Sequence, residues 1–118
     1  MNYSKNEIVE ISFEFALEVI EYAELLEKEN KYVVARQVLK AGTAIGANVR
    51  EAQKAESKAD FIHKMKIADK EAEETDYWLS LCAKSKTYPD PNQDMTNHLE
   101  SIGKLLNKII ATSKRSRS

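Results

Sequence analysis

The chain has 118 residues, 42% of them hydrophobic and 31% charged, with a formal net charge of −1. That length supports one hydrophobic core rather than two, and that balance excludes a disordered chain. No apolar run approaches the roughly 20 residues that span a bilayer, the segment Met1 to Glu10 lacks the apolar stretch of a secretory signal, and the lone Cys82 has no internal disulfide partner, so a cytoplasmic protein without a membrane role is expected.

Three glycines and two prolines punctuate the sequence, and every long segment carries apolar residues at helical spacing, so the expected fold is all-α. Ser4 and Glu7 have the spacing of a capping box, and Ile8, Ile11, Phe15, Val19, Tyr22 and Leu26 define a first helix over about 4–29. Phe13, Leu17 and Ile20 are expected to widen its apolar face. After the turn-prone Asn30, a second helix covers about 32–55, with Val34, Val38, Ala41, Ile45, Val49 and Ala52 on its core stripe.

Ser57 with Asp60 marks the start of a third helix over about 58–87. Phe61, Met65, Ala68, Ala72, Thr75, Leu79 and Cys82 follow alternating steps of four and three, a heptad seam that favours near-parallel or antiparallel neighbours. A second stripe of Ile67, Trp78 and Leu81, with Glu71 and Glu74 among them, implies a second neighbour. Pro89 and Pro91 interrupt the helix, and Met95, Leu99, Ile102, Leu106 and Ile109 build a fourth over about 94–112. Residues 1–113 are then one domain, and 114–118 a basic flexible tail. Four helices joined mostly by short links point to an antiparallel up-down-up-down bundle.

Charge is sorted by helix beneath the near-neutral total. Residues 1–30 carry a balance of −6 and residues 31–58 one of +4. On the second helix Arg36, Lys40, Arg50 and Lys54 fall within about 80° of one another, opposite the core stripe. Such a stripe can neutralise phosphates of RNA or DNA. It can equally pair with Glu7, Glu10, Glu14, Glu18 and Glu21 of the first helix, within or between subunits. The Lys114, Arg115, Arg117 terminus reads as a solvated end.

Gly42 and Gly46 stand among Ala41, Ala44 and Ala47 in mid-helix, where each glycine costs about 0.5–1 kcal/mol relative to alanine. Close backbone approach compensates that cost, either inside the bundle or against another protomer. Asn48 borders the apolar face, where its amide needs a partner; a hydrogen bond that fixes register or a subunit contact is one reading and partial exposure the other. Glu71 and Glu74, flanking Trp78, are expected to meet Arg36 or Arg50 of the adjacent helix or of another protomer.

No catalytic constellation, cofactor loop or metal set is visible. Asp60-Phe-Ile-His63 only approximates a di-iron motif, and His98 and Cys82 stand alone in their helices. A protein that is not an enzyme and carries no cofactor is expected.

The stretch from Arg36 to Ala52, with its Gly42-Thr-Ala-Ile-Gly-Ala-Asn48 block, and the Lys70-Glu-Ala-Glu-Glu-Thr-Asp-Tyr-Trp-Leu79 block resemble the four-helix bundle proteins encoded within intervening sequences of bacterial 23S ribosomal RNA genes. The same superfamily includes accessory variability determinant proteins of diversity-generating retroelements. The resemblance covers nearly the whole chain and implies a homopentameric barrel of bundles, no catalysis and nucleic-acid binding. The chain departs from the pattern at Ala44, where serine is common, and in its strongly acidic first helix. Two functions follow as expectations: an oligomeric scaffold that binds structured RNA or DNA, or a homo-oligomeric protein-interaction scaffold whose further partner the sequence does not name.

Overall fold

The computed structural model describes residues 6–116, which form four α-helices and no strand. These are α1 (Glu7–Lys28), α2 (Tyr32–Ala52), α3 (Lys58–Lys84) and α4 (Gln93–Arg115). The helices pack α1 on α2, α2 on α3, α3 on α4 and α4 back on α1, around a single core in a rod of 50 × 22 × 22 Å. Asn6, just before α1, bonds Gln53, just after α2, and Lys58 at the start of α3 reaches the Ser116 carbonyl just after α4.

Local chemistry accounts for most of the boundaries. Asn6, not Ser4, caps α1: its side chain accepts from the Val9 amide, and its own amide donates to Gln53 Oε1 at 2.8 Å. That tertiary bond selects among cap-type residues, so Glu7 becomes the first helical residue; Ser4 lies outside the described residues. α1 ends in a Schellman turn, with Asn30 at φ 64° and the Lys31 amide donating to the Leu26 carbonyl at 2.8 Å. α2 stops at Ala52 rather than 55, because the amides of residues 53 to 55 turn back to carbonyls three residues earlier before Ser57 extends to cap α3. The Ser57 side chain accepts from the Asp60 amide at 3.0 Å.

α3 ends at Lys84 rather than 87, since Ser85 is already extended ahead of the Pro89 segment. α4 begins at Gln93, capped by Asn92, and continues through Arg115, beyond the expected 112. Lys114 and Arg115 therefore belong to a helical last turn, where positive charge complements the helix dipole, and not to a tail; Arg117 lies outside the described residues.

The core follows the helical stripes. Phe15, Val19 and Leu26 of α1, Val38, Ile45 and Val49 of α2, Met65, Ala68 and Cys82 of α3, and Met95, Ile102 and Leu106 of α4 are all buried. Tyr22 ties the Pro-containing loop to α1 by donating its hydroxyl to the Pro89 carbonyl at 2.6 Å. Burial pushes that phenol well above the ordinary tyrosine range, and the neighbouring Cys82 thiol adds to the shift.

Candidate nucleic-acid interface

The core stripe of α2 fixes how the helix is rotated, and Arg36, Lys40 and Arg50 are consequently exposed on its outer face, while Lys54, expected on the same helix, is exposed in the turn just after it. The three ion pairs among the described residues are Lys64–Glu51, His98–Glu18 and Lys104–Glu100, and none includes a residue of this stripe. The expected pairing with α1 does not occur within the chain. Its cause is the rotation of α1, which turns Glu7, Glu10, Glu14 and Glu18 toward α4, where they line a groove of about 410 Å³ with Ile11 and His98. Glu18 meets His98 Nδ1 there at 2.7 Å. Arg36, Lys40 and Arg50 are left without an ion pair along about 21 Å of α2, with Lys54 in the turn beyond.

A second surface runs beside this stripe. Phe13, Leu17 and Ile20 are 49%, 45% and 41% exposed, and Leu39 of α2 is 39% exposed. The three α1 residues do not widen the core face; they form a separate apolar stripe about 130–150° around the helix from it. Their recurrence at i, i+4 and i+7 is visible in the sequence, and measuring its angle to the Phe15 stripe would have revealed a second surface. Arg50 joins the two surfaces, its guanidinium lying 5.6 Å from the centre of the Phe13 ring. A small cavity of about 190 Å³ beneath them is lined by Phe13, Ala16, Thr43, Ala47 and Arg50, among others.

Of the small residues, Ala41 and the two glycines face α1 or the core, whereas Ala47 is exposed. A methyl group added at Gly42 would lie 2.7 Å from both Val19 methyl carbons, and one at Gly46 would lie 3.3 Å from the Ser12 carbonyl oxygen. Both glycines thus bring α2 close to α1. Asn48 is half-buried and donates to the Ala44 carbonyl of its own helix at 2.9 Å. Glu74 accepts from the Trp78 indole N–H at 3.3 Å, and Tyr77 stands edge-on to that indole at 5.3 Å. Neither Glu71 nor Glu74 forms an ion pair with Arg36 or Arg50 in this chain. Trp78 packs half-buried against the core, and Glu71 accepts the Thr75 hydroxyl through its backbone carbonyl at 2.7 Å.

No His, Cys, Asp and Glu side chains gather as a metal-binding group among the described residues. Among the described residues no helix is long and apolar enough to cross a membrane. Burial raises the Cys82 thiol above its ordinary range, which suits a packed side chain rather than a nucleophile.

Four helices, the inward glycines and a mid-helix basic face coincide with a family match over residues 4–108. The chain belongs to the 23S rRNA-intervening sequence protein family. A protein of unknown function from the S23 ribosomal protein family of Bacteroides thetaiotaomicron has a similar crystal structure. The two share 42% sequence identity over 87% of this chain and 97% of the other, with a TM-score of 0.82. No curated protein matches the chain. Membership in the 23S rRNA-intervening sequence family accounts for the fold, and the function of the structural relative is itself unknown.

Proposed function

We propose that this 23S rRNA-intervening sequence protein is a non-enzymatic, cytoplasmic, self-associating bundle of up-down-up-down topology that binds structured RNA or DNA through Arg36, Lys40, Arg50 and Lys54. The observation that carries the reading is that, among the described residues, none of these four exposed cations has a carboxylate partner, while Glu7, Glu10, Glu14 and Glu18 of α1 line a groove toward α4. Lysine and arginine side chains on a rigid helix recognise phosphate by charge and spacing rather than by reading bases. Binding driven by counterion release falls steeply with salt.

Self-association is supported by the exposed Phe13, Leu17, Ile20 and Leu39 surface. Covering the exposed half of each such side chain is worth about 1 kcal/mol. A pentamer, as in the barrel implied by the family resemblance, requires head-to-tail contacts between two different patches, because a five-fold ring has no two-fold axes.

A second reading, a homo-oligomeric protein-interaction scaffold with no nucleic-acid role, is favoured by the Arg50–Phe13 contact, which puts one cation of the stripe on the apolar surface itself. Light scattering of the purified protein, alone and with a structured RNA at low and moderate salt, separates the two. The first reading expects an oligomer that gains mass with RNA at low salt, and an Arg50→Glu variant that loses RNA while keeping its own mass. An oligomer indifferent to RNA, or one that Arg50→Glu disassembles, favours the second, and a monomer refutes both.

A further inference from the structure

One face of the rod carries its own complement. Phe13, Leu17 and Ile20 of α1 are exposed, and Arg50 of α2 lies 5.6 Å from the centre of the Phe13 ring, so the two helices share a single outer face. Glu10 and Glu21 are exposed about 60° beyond the apolar residues, on the side of α1 away from α2, and Glu10 also borders the groove toward α4. On α2, Arg36 and Lys40 are exposed about 100–140° around the helix from the glycines that touch α1. The face is therefore acidic along one edge, apolar in the middle and basic along the other.

The two edges are also level with each other. α2 runs antiparallel to α1, with Asn6 bonded to Gln53, Gly46 against Ser12 and Gly42 against Val19. Continuing that register puts Glu10 level with Arg50, Glu21 with Lys40 and Glu24 with Arg36. These charges do not meet within the chain, because the apolar residues stand between them, and none of the three ion pairs among the described residues includes any of the six. The same register sets large against small: Phe13 is level with Ala47, and Leu17 with Thr43.

A second copy rotated about an axis parallel to the rod keeps every residue at its own level, while its α2 comes to lie antiparallel against α1 of the first. Each acid then faces the base at its level on the other copy. Phe13 and Leu17 meet the small Ala47 and Thr43 of that copy, beside the cavity of about 190 Å³ that Thr43, Gly46 and Ala47 line with Phe13 and Ala16. Rotation about an axis across the rod would instead set α1 on α1, acids against acids and large against large, which the charges oppose.

We infer that a second copy of this chain covers this face, with α1 of one copy lying antiparallel against α2 of the next. The contact rests on the self-association proposed above and names its two halves; repeated about a parallel axis, it closes either a pair or a ring. The apolar centre supplies the affinity, since exposed ion pairs are individually weak, and the charged edges set register and orientation. Cations paired in this way do not hold phosphate, so a second copy and nucleic acid compete for Arg36, Lys40 and Arg50.

Sedimentation equilibrium of the full-length protein at low salt tests the contact. Lys40→Glu/Arg50→Glu and Glu10→Lys/Glu21→Lys are each expected to weaken association by about tenfold or more, because like charges then face each other at two levels. All four positions are exposed, so the helical circular dichroism of each variant should match that of the native protein. Combining the four changes in one chain exchanges the two edges, and this variant is expected to regain the native mass.

Failure of the combined variant to recover overturns the contact. Native mass in both double variants also overturns it, and leaves self-association standing through another face. A native protein that stays monomeric overturns the contact and self-association together. If Lys40→Glu/Arg50→Glu keeps its mass and loses a short RNA duplex, the stripe serves nucleic acid and the contact falls.

Discussion

Gly42→Ala and Gly103→Ala are the same chemical change in two helix interiors, and the structure gives them opposite signs. Each replacement removes the conformational cost of a helical glycine and so gains about 0.5–1 kcal/mol. At Gly103 nothing lies within 4 Å of the added carbon, so the gain is realised in full. At Gly42 the new methyl would lie 2.7 Å from both methyl carbons of Val19, a stiff β-branched side chain with no exposed surface. Relieving that overlap requires α1 and α2 to separate or Val19 to leave its rotamer, at a cost of about 1–3 kcal/mol. The net expectation is a loss of about 1 kcal/mol for Gly42→Ala against a gain approaching 1 kcal/mol for Gly103→Ala.

A double-mutant cycle isolates the contact. Val19→Ala alone leaves a cavity and costs about 2–3 kcal/mol. In Val19→Ala/Gly42→Ala the new methyl occupies part of the vacated space, so the pair should be more stable than the sum of the singles by about 1 kcal/mol. Urea denaturation followed by helical circular dichroism supplies the free energies, run at one protein concentration because assembly adds to apparent stability. The reasoning is refuted if Gly42→Ala stabilises as much as Gly103→Ala, or if the cycle is additive.

Three further outcomes are expected. Tyr22→Phe should cost about 1 kcal/mol in the same denaturation assay, because it removes the 2.6 Å bond to the Pro89 carbonyl, and hydrogen exchange in the Pro89 loop should rise. Asn30→Gly should be neutral or slightly stabilising, whereas Asn30→Val should cost about 1 kcal/mol or more, since φ 64° is easy for glycine and strained for a β-branched residue. Cys82 is buried with its thiol raised, so the reactive thiolate stays scarce as pH climbs through the usual cysteine range; alkylation should be slow in the native protein and should speed up in step with urea unfolding.

The sequence by itself determined the number of helices, the start of α3 and the stripes that form the core, except at the end of α4, where Ile110 rather than the expected Ile109 is buried. These depend on spacing and on contacts three or four residues apart: Met65, Ala68, Ala72, Thr75, Leu79 and Cys82 are buried as their heptad steps require, and Ser57 bonds the Asp60 amide three residues on. The tertiary structure decided where α1 begins, since Asn6 prevails as its cap through a bond to Gln53, 47 residues away. It also decided that the acids of α1 and the bases of α2 do not meet. Both stripes are plain in the sequence, but each helix is rotated by its own core residues, and burying Phe15 and Val19 turns Glu14 and Glu18 toward α4. The same rotation leaves Phe13, Leu17 and Ile20 exposed, because a helix packed on two neighbours buries one stripe and not a second one on its far side.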